Sequence, residues 1–334
     1  MSIKHIRATL TALSLGLGFA MASLSAHAEV TLRFAHYSPE THAVHKAALQ
    51  FKARVEERTK GEVKIAIFPN NTLGSPPEIL EQTKLGVIDI AVPTSGQMDK
   101  YDKAFAALML PFVFDDLAHA RRTMDGPLQQ WLAPLAAKSN LVIIGTWEYG
   151  FRNLTNNVRP VNTPADVKGL KIRTPPEIQL EAAMTALGGN VQKIAFPELY
   201  LALSQGTVDA EENPVAVIYS SKFYEVQKYL AMTRHVYQAL FQVVNARSWA
   251  KLTPEQQQIL REESAAAGAS ERQQLESEEL GQIAKMEQAG MKVTKPDLAP
   301  FRAAMVPAYK KIGDFAGEAN VKTFLGYVEA ARKP

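Results

Sequence analysis

The sequence contains no cysteine among its 334 residues, and this absence excludes several classes of site. Disulfide bonds, thiolate-ligated metals, iron–sulfur clusters, covalently attached haem and cysteine nucleophiles all require that residue. An excess of one charge is also missing, since 37 basic residues stand against 34 acidic ones. After residue 28 the balance is 35 against 34, which leaves no basic surface of the kind that binds a phosphate backbone. We therefore expect no nucleic-acid partner.

Motifs of the common enzyme and nucleotide-binding families are absent as well. The sequence holds no phosphate loop, no glycine-rich dinucleotide fingerprint, no Gly-x-Ser-x-Gly and no His-Glu-x-x-His. His36, His42 and His45 form the only histidine cluster of the sequence. His42 and His45 lie one turn apart near the start of one predicted helix, which favours a structural role over a shared metal. We expect neither a cofactor nor a metal.

The first 28 residues contain no acidic residue and have the features of a secretory signal peptide. Two basic residues precede an apolar run over residues 8–20, and residues 26–28, Ala-His-Ala, fit the small-x-small cleavage rule. The run is shorter than the ~20 apolar residues that cross a bilayer. We predict a signal peptide over residues 1–28 and export to a bacterial periplasm. A lipid anchor is not expected, because no cysteine follows the cleavage site.

The mature chain alternates strands and helices in two similar series. The first series is predicted as strand 30–35, helix 41–58, strand 63–68, helix 77–85 and strand 87–92. The second begins with a strand at 170–173. Each series contains a helix that starts at Pro-Glu and ends nine residues after that proline at a glycine. This βαβαβ order predicts an α/β fold with two lobes built on parallel strands.

Further elements are expected to join the lobes. A strand is predicted at 141–145, and the crossings between lobes are expected near residues 148–152 and 237–242. A polar helix that starts at Thr253-Pro254 and runs to about residue 290 is expected to lie across both lobes. A strand at 291–294 and a closing helix at 300–315 follow. We assign residues 29–149 and about 238–277 to the first lobe, and residues 150–237 and about 278–334 to the second.

Two arginines stand at the ends of predicted strands. Arg173 ends the first strand of the second series, and Arg152 follows the strand at 141–145. In open α/β sheets, ligands bind beyond the carboxyl ends of the strands. A guanidinium matches a carboxylate in two hydrogen bonds, and the side-chain amide of Asn213, at an equivalent strand end, can donate a third. The pattern indicates a site for a small carboxylate.

A set of short motifs runs through nearly the whole mature chain. In order they are Arg33-Phe34-Ala35-His36, Phe68-Pro69-Asn70, Leu110-Pro111-Phe112, Gly150-Phe151-Arg152, Gly169-Leu170-Lys171-Ile172-Arg173, Ala195-Phe196, Val208-Asp209-Ala210-Glu211-Glu212-Asn213-Pro214 and Lys222-Phe223-Tyr224-Glu225. The sequence thereby resembles the solute receptors of tripartite ATP-independent periplasmic (TRAP) transporters, the DctP-like family. The resemblance implies a two-lobed periplasmic-binding-protein fold with hinge strands and a long helix spanning both lobes. It also implies a receptor, not an enzyme, that closes around an organic acid and delivers it to a membrane permease.

The resemblance implies roles for individual residues too. The carboxylate-clamping arginine of the family falls on Arg173, its second substrate arginine on Arg152 and its supporting asparagine on Asn213. A pocket-wall aromatic of the family falls on Phe196. The residues expected where the other lobe closes the pocket are His36, Tyr37, Thr94 and Ser95.

Three ligand classes stay open at this point. An aromatic or branched 2-oxo or 2-hydroxy acid would suit a pocket with aromatic walls, for which the candidates are Tyr37, Trp147, Tyr149 and Phe196. A sugar acid would need polar partners for its hydroxyls, for which the candidates are His36, Thr94, Ser95 and Glu148. A four-carbon dicarboxylate would need a second cation, from Arg152 or His36. The alternative function is an exported hydrolase with Glu148 or Glu212 as general base.

Overall fold

The structure is a computed structural model that describes residues 29–332, so the predicted signal peptide lies outside the described residues. Its strands are β1 Val30–Ala35, β2 Val63–Phe68, β3 Ile90–Ala91, β4 Leu141–Asn156, β5 Lys171–Thr174, β6 Asn190–Lys193, β7 Ala210–Pro214, β8 Tyr229–Asn245 and β9 Lys292–Thr294. Its helices are α1 Ala43–Arg58, α2 Pro76–Leu85, α3 Leu117–Asp125, α4 Leu128–Ala137, α5 Ile178–Ala186, α6 Leu199–Ser204, α7 Val215–Ser220, α8 Ala246–Trp249, α9 Pro254–Gln288, α10 Leu298–Ala303, α11 Val306–Ala316 and α12 Glu318–Arg332. Within this described part, no helix is both long and apolar enough to cross a membrane.

The two predicted series fold into two parallel units with the same strand order. β1 lies between β2 and β3, and β5 lies between β6 and β7, with every pairing parallel. Gly86 ends α2 with a left-handed backbone (φ +81°), as the predicted Pro-to-Gly helix requires. We call the part built on β1–β3 the first lobe and the part built on β5–β7 the second lobe. The prediction of a two-lobed α/β fold is confirmed.

Two long antiparallel strands, β4 and β8, connect the lobes and merge both units into one sheet. β3 pairs with the end of β8, and β7 pairs with the end of β4. The pairing of β4 with β8 shifts register at three places, one of them between Glu148 and Gly150. Gly150 has φ +104°, a backbone that other residues rarely adopt. β4 extends to Asn156, well beyond the predicted residues 141–145. The prediction is too short because glycines and polar residues interrupt the apolar pattern that marks a strand in the sequence.

Helix α9 confirms the predicted long helix across the molecule. Its N-cap is Thr253, whose hydroxyl accepts a hydrogen bond from the backbone of Gln256. It packs against α1 of the first lobe, where Arg58 pairs with Glu263 at 2.8 Å, and against α7 of the second. Beneath it, Trp147 is buried in the apolar core, and its indole nitrogen donates to the carbonyl of Ser264 at 3.0 Å.

The C-terminal region differs from the single predicted closing helix. Pro307, at the start of α11, separates that helix from α10, and α12 follows Gly317. α11 contacts the second lobe through Lys311 and Glu181 of α5, 2.7 Å apart. α12 packs against α3, where a ring nitrogen of His119 lies 2.8 Å from the carbonyl oxygen of Val328. The predicted assignment of residues 278–334 to the second lobe omits this contact with α3.

Candidate functional site

A cavity of about 360 Å³ lies between the two lobes, at the carboxyl ends of β1, β3 and β5. Loops that follow parallel strands meet at this edge of the sheet, which places side chains from distant parts of the sequence together. Seven of the eleven residues predicted for the site line this cavity. They are Tyr37, Thr94, Tyr149, Arg152, Arg173, Phe196 and Asn213.

Arg173 presents a guanidinium without a counterion to the cavity. Its Nε donates to the carbonyl of Ile194 at 2.9 Å, and its two terminal nitrogens have no hydrogen-bond partner among residues 29–332. The side chain is only 1% exposed. Burial lowers the pKa of Arg173 to about 10, although the Glu212 carboxylate opposes this shift, and the neighbouring Arg152 cation adds to it. The buried cation lacks a partner of the kind that an organic carboxylate would supply.

Arg152, in contrast, is fully engaged by protein groups. Its Nε and one terminal nitrogen bind the carboxylate of Glu212, and its other terminal nitrogen donates to Gln238 at 2.6 Å. Burial alone would lower the pKa of Arg152, but the Glu212 carboxylate outweighs it and the pKa is raised. A ring nitrogen of His235 also contacts Glu212, at 3.2 Å. Arg152 is therefore neutralised inside the protein.

Asn213 is held at the cavity by the same network. Its side-chain oxygen accepts from Arg152 at 3.1 Å, and its amide nitrogen donates to Glu211. The residue lies on β7 opposite Asn153 of β4. One amide hydrogen of Asn213 remains without a partner among the described groups.

Aromatic rings form one wall of the cavity. Tyr37 meets Tyr149 edge to face with ring centroids 5.9 Å apart, and it meets Phe196 in the same way at 6.0 Å. The guanidinium carbon of Arg173 lies 5.9 Å from the centre of the Phe196 ring. This contact fixes the arginine against an apolar surface.

Two acidic residues not predicted for the site also line the cavity. Glu177 accepts hydrogen bonds from Thr94 at 3.2 Å and from Gln238 at 2.9 Å, and Asp99 accepts one from Gln179 at 3.0 Å. Burial raises the pKa of Glu177 to about 7 and that of Asp99 to about 6. In the sequence, Glu177 resembles an ordinary acid at a helix start, where the helix dipole favours it. Its partners Thr94 and Gln238 are distant in the sequence, so no local signal marks it.

The other four predicted residues do not line this cavity. A ring nitrogen of His36 lies 3.2 Å from a ring nitrogen of His45, and Ser95 is buried against β8. Trp147 belongs to the core beneath α9. Glu148 lies outside the cavity that Tyr149 lines, at the place where β4 shifts register against β8.

The carboxylates of the alternative hydrolase are both committed to other partners. Glu148 accepts two hydrogen bonds from Arg121, each 2.9 Å long, and a third from the hydroxyl of Tyr237. Glu212 is bound to Arg152 as described above. The Arg152 cation, together with the hydrogen bond from His235, overcomes burial and holds the pKa of Glu212 below its ordinary value. The hydrolase alternative is not supported.

Comparison with known proteins identifies the family. The family described as bacterial extracellular solute-binding protein, family 7 (DctP), matches residues 34–314. The chain is 37% identical over 276 residues to the 2,3-diketo-L-gulonate-binding periplasmic protein YiaO of Escherichia coli (strain K12), with 83% of this chain and 84% of that protein covered. It is 33% identical over 298 residues to the sialic acid-binding periplasmic protein SiaP of Vibrio cholerae, with 89% and 92% covered.

The fold also matches that of a solved structure. A TRAP periplasmic solute binding protein from Polaromonas sp. JS666, bound to D-erythronate, superposes with a TM-score of 0.85 at 32% identity. The match covers 89% of this chain and 98% of that one. The chain therefore belongs to family 7 of the bacterial extracellular solute-binding proteins, the DctP family, and is a solute receptor of the TRAP class rather than an enzyme.

Proposed function

We propose that this receptor binds a small hydroxylated monocarboxylate between its lobes, with Arg173 as the carboxylate clamp. The observation that carries the proposal is the buried guanidinium of Arg173, which has no counterion among the described residues and faces the cavity. A bound carboxylate would complete two hydrogen bonds and neutralise the charge. Because the Arg173 side chain is buried, that ion pair would be stronger than one at the surface.

The charges around the cavity favour one carboxylate over two. Arg152 is neutralised by Glu212, and His36 does not line the cavity. Lys100 and Lys193 do line it, but they pair with Glu81 and Glu181 at 2.9 and 2.6 Å. A four-carbon dicarboxylate would therefore find a clamp at one end and no free cation at the other.

The remaining polar groups favour hydroxyls on the ligand. Thr94, Asp99 and Glu177 offer oxygen acceptors, whereas Tyr37 and Phe196 form an apolar wall. The volume of about 360 Å³ lies at the small end of the ~300–1,000 Å³ typical of ligand pockets. The relatives named above bind 2,3-diketo-L-gulonate, sialic acid and D-erythronate, and each of these is a hydroxylated monocarboxylate. These observations support a sugar acid or a comparable hydroxy acid over a purely aromatic acid.

We further propose that the mature receptor works in the periplasm and hands its ligand to a TRAP membrane permease. The features of residues 1–28 support export, and the relatives YiaO and SiaP are periplasmic proteins by name. N-terminal sequencing of the protein released by osmotic shock tests the location. A chain that keeps Met1 in a cytosolic fraction would contradict it.

A thermal-shift screen followed by calorimetry tests the ligand class. The panel contains D-erythronate, D-galactonate, D-glucuronate and pantoate, with phenylpyruvate and succinate as the competing classes. A ligand at 100 times its Kd stabilises the folded state by about 2.7 kcal/mol. We expect stabilisation by at least one hydroxylated monocarboxylate and none by phenylpyruvate or succinate. Stabilisation by only the competing classes would overturn the proposal.

A further inference from the structure

The geometry points to Glu177 as a specificity-determining residue, whose carboxylate accepts a ligand hydroxyl and rejects a second carboxylate. The inference rests on the proposed function, since it concerns the groups of the ligand other than the carboxylate that Arg173 binds. It explains how a pocket built around one cation distinguishes a sugar acid from the dicarboxylate of the same skeleton.

The position of Glu177 is fixed from both lobes. The residue is the N-cap of α5 in the second lobe, and its carboxylate reaches Thr94 in the first lobe and Gln238 on β8. One oxygen also lies where a Cβ at position 96 would be, so that only glycine fits there. The side chain is 3% exposed, and it therefore keeps one orientation toward the cavity.

The hydrogen bonds of Glu177 leave acceptor capacity for a ligand. Each carboxylate oxygen accepts one bond from the protein, and a carboxylate offers about four acceptor positions in total. A ligand hydroxyl can donate to a remaining position. A second ligand carboxylate has no hydrogen to donate, and at pH 8 it would meet the negative charges of Glu177 and Asp99, which both line the cavity.

No free cation offsets that repulsion among the described residues of the cavity. Arg173 is taken by the first carboxylate, and Arg152 is bound to Glu212. A purely structural role for Glu177 is the competing explanation, because Glu177 and the Gln179–Asp99 pair both bridge the lobes. Loss of such a bridge would weaken every ligand by a similar factor. Loss of a specificity residue changes the ratio between ligands.

Calorimetry with matched ligand pairs separates the two roles. The pairs are D-galactonate with galactarate and D-erythronate with meso-tartrate, which differ only in the oxidation of the terminal carbon. Because a like-charge contact costs several kcal/mol, we expect wild type to bind each monocarboxylate at least about thirtyfold more tightly than its dicarboxylate at pH 8. Glu177→Gln should narrow that ratio by at least about threefold, since the Asp99 charge stays in place, while Glu177→Asp, which keeps the charge, should preserve most of it.

Glu271→Gln is the matched control. Glu271 is also buried, at 1% exposure, but it lies on α9 outside the cavity. This variant should leave the ratio unchanged. An unchanged ratio in Glu177→Gln would overturn the assignment of Glu177 alone. A wild type that prefers the dicarboxylates would overturn both that assignment and the proposed preference for a monocarboxylate. Failure of wild type to bind either monocarboxylate or any other hydroxy acid of the screen would instead overturn the proposed function and this inference with it.

Discussion

Gly96 leaves the space that Glu177 fills: a Cβ at position 96 would lie 2.1 Å from Oε2 of Glu177. The glycine begins a short 3-10 helix, residues 96–100, that follows β3 in the first lobe, and the glutamate enters from the second. A single missing methyl group therefore allows the carboxylate to lie between Thr94 and Gln238. The fit of the two lobes at the cavity depends on this pair.

Gly96→Ala should displace the Glu177 carboxylate. The amide of Gln238 would then lose its acceptor, and an unsatisfied buried donor costs about 1–3 kcal/mol of unfolding free energy. We expect that loss in urea unfolding, together with a weaker affinity for the ligand of the screen. Gly281→Ala in α9 is the control, because nothing lies within 4 Å of its added Cβ. Equal stability of the two variants would contradict the steric argument.

Titration of Glu177 should contribute to the pH dependence of the unfolding free energy. Burial raises its pKa from an ordinary 4.5 to about 7, so the folded protein keeps a proton that the unfolded chain releases. The stability contributed by the neutral form is fully present below pH 4.5 and is lost as pH rises to about 7. At about 1.4 kcal/mol per pKa unit the loss approaches roughly 3 kcal/mol.

Glu177→Gln removes this titration and keeps the shape of the side chain. The variant should unfold at a higher urea concentration than wild type at pH 8, and the advantage should shrink toward zero near pH 4.5. Comparing the two proteins at each pH cancels the groups that they share, among them Arg152, Asp99 and Glu212 near the carboxylate. An advantage of the same size at both pH values would show that Glu177 does not titrate as proposed.

His42 should contribute the opposite pH dependence to the unfolding free energy. Burial lowers its pKa from 6.5 to about 4, so the unfolded chain takes up a proton that the folded protein excludes. This contribution to stability is lost as pH falls from about 6.5 to 4, by about 1.4 kcal/mol per pH unit. His42 is also the N-cap of α1, where its ring accepts from the backbone of Val44 at 3.1 Å.

His42→Asn keeps a cap acceptor and cannot titrate. Urea unfolding between pH 7 and 4.5 should therefore show a shallower acid loss in His42→Asn than in wild type, with similar stability at pH 7.5. Parallel curves for the two proteins would contradict the assignment of the acid loss to His42.

The sequence predicted elements whose signal is local. The predicted bounds of β1 and β2 match the observed ones, because alternating apolar residues end there at turn residues. β4 was predicted far too short, since its second half is held by pairing with β7 and β8 rather than by its own pattern. The predicted single closing helix omits α12 for the same reason, because the contact of α12 with α3 joins residues that are far apart in the sequence.

Some residues of the site likewise have a local signal in the sequence, and others do not. Arg173 could be predicted because a strand end and its charge are visible in the sequence. Glu148 could not be separated from Tyr149, because the face that each strand residue takes depends on a register shift at Gly150. Glu177 could not be found from its own neighbours, since its partners Thr94 and Gln238 lie 83 and 61 residues away.

Arg173 and Arg152 should respond to mutation in opposite ways, although both line the cavity. Arg152→Ala leaves Glu212 buried without its ion-pair partner, and breaking such a pair costs about 3–5 kcal/mol of unfolding free energy. Arg173→Ala removes a buried charge that has no counterion in the described structure, so the free protein should be as stable as wild type or more so. Urea unfolding without ligand measures both.

Ligand affinity, in contrast to stability, should depend strongly on Arg173. Without Arg173 the ligand carboxylate would be buried and unpaired, which at about 3–5 kcal/mol corresponds to a loss of roughly a hundred- to several-thousand-fold in affinity. Arg173→Lys keeps the charge but not the two-point geometry, so its loss should be smaller yet clear. Calorimetry with the ligand of the screen, on variants shown to be folded, decides between the two arginines. Arg173→Ala binding within about threefold of wild type, a difference below roughly 0.7 kcal/mol, would remove Arg173 as the clamp and make Arg152 the candidate.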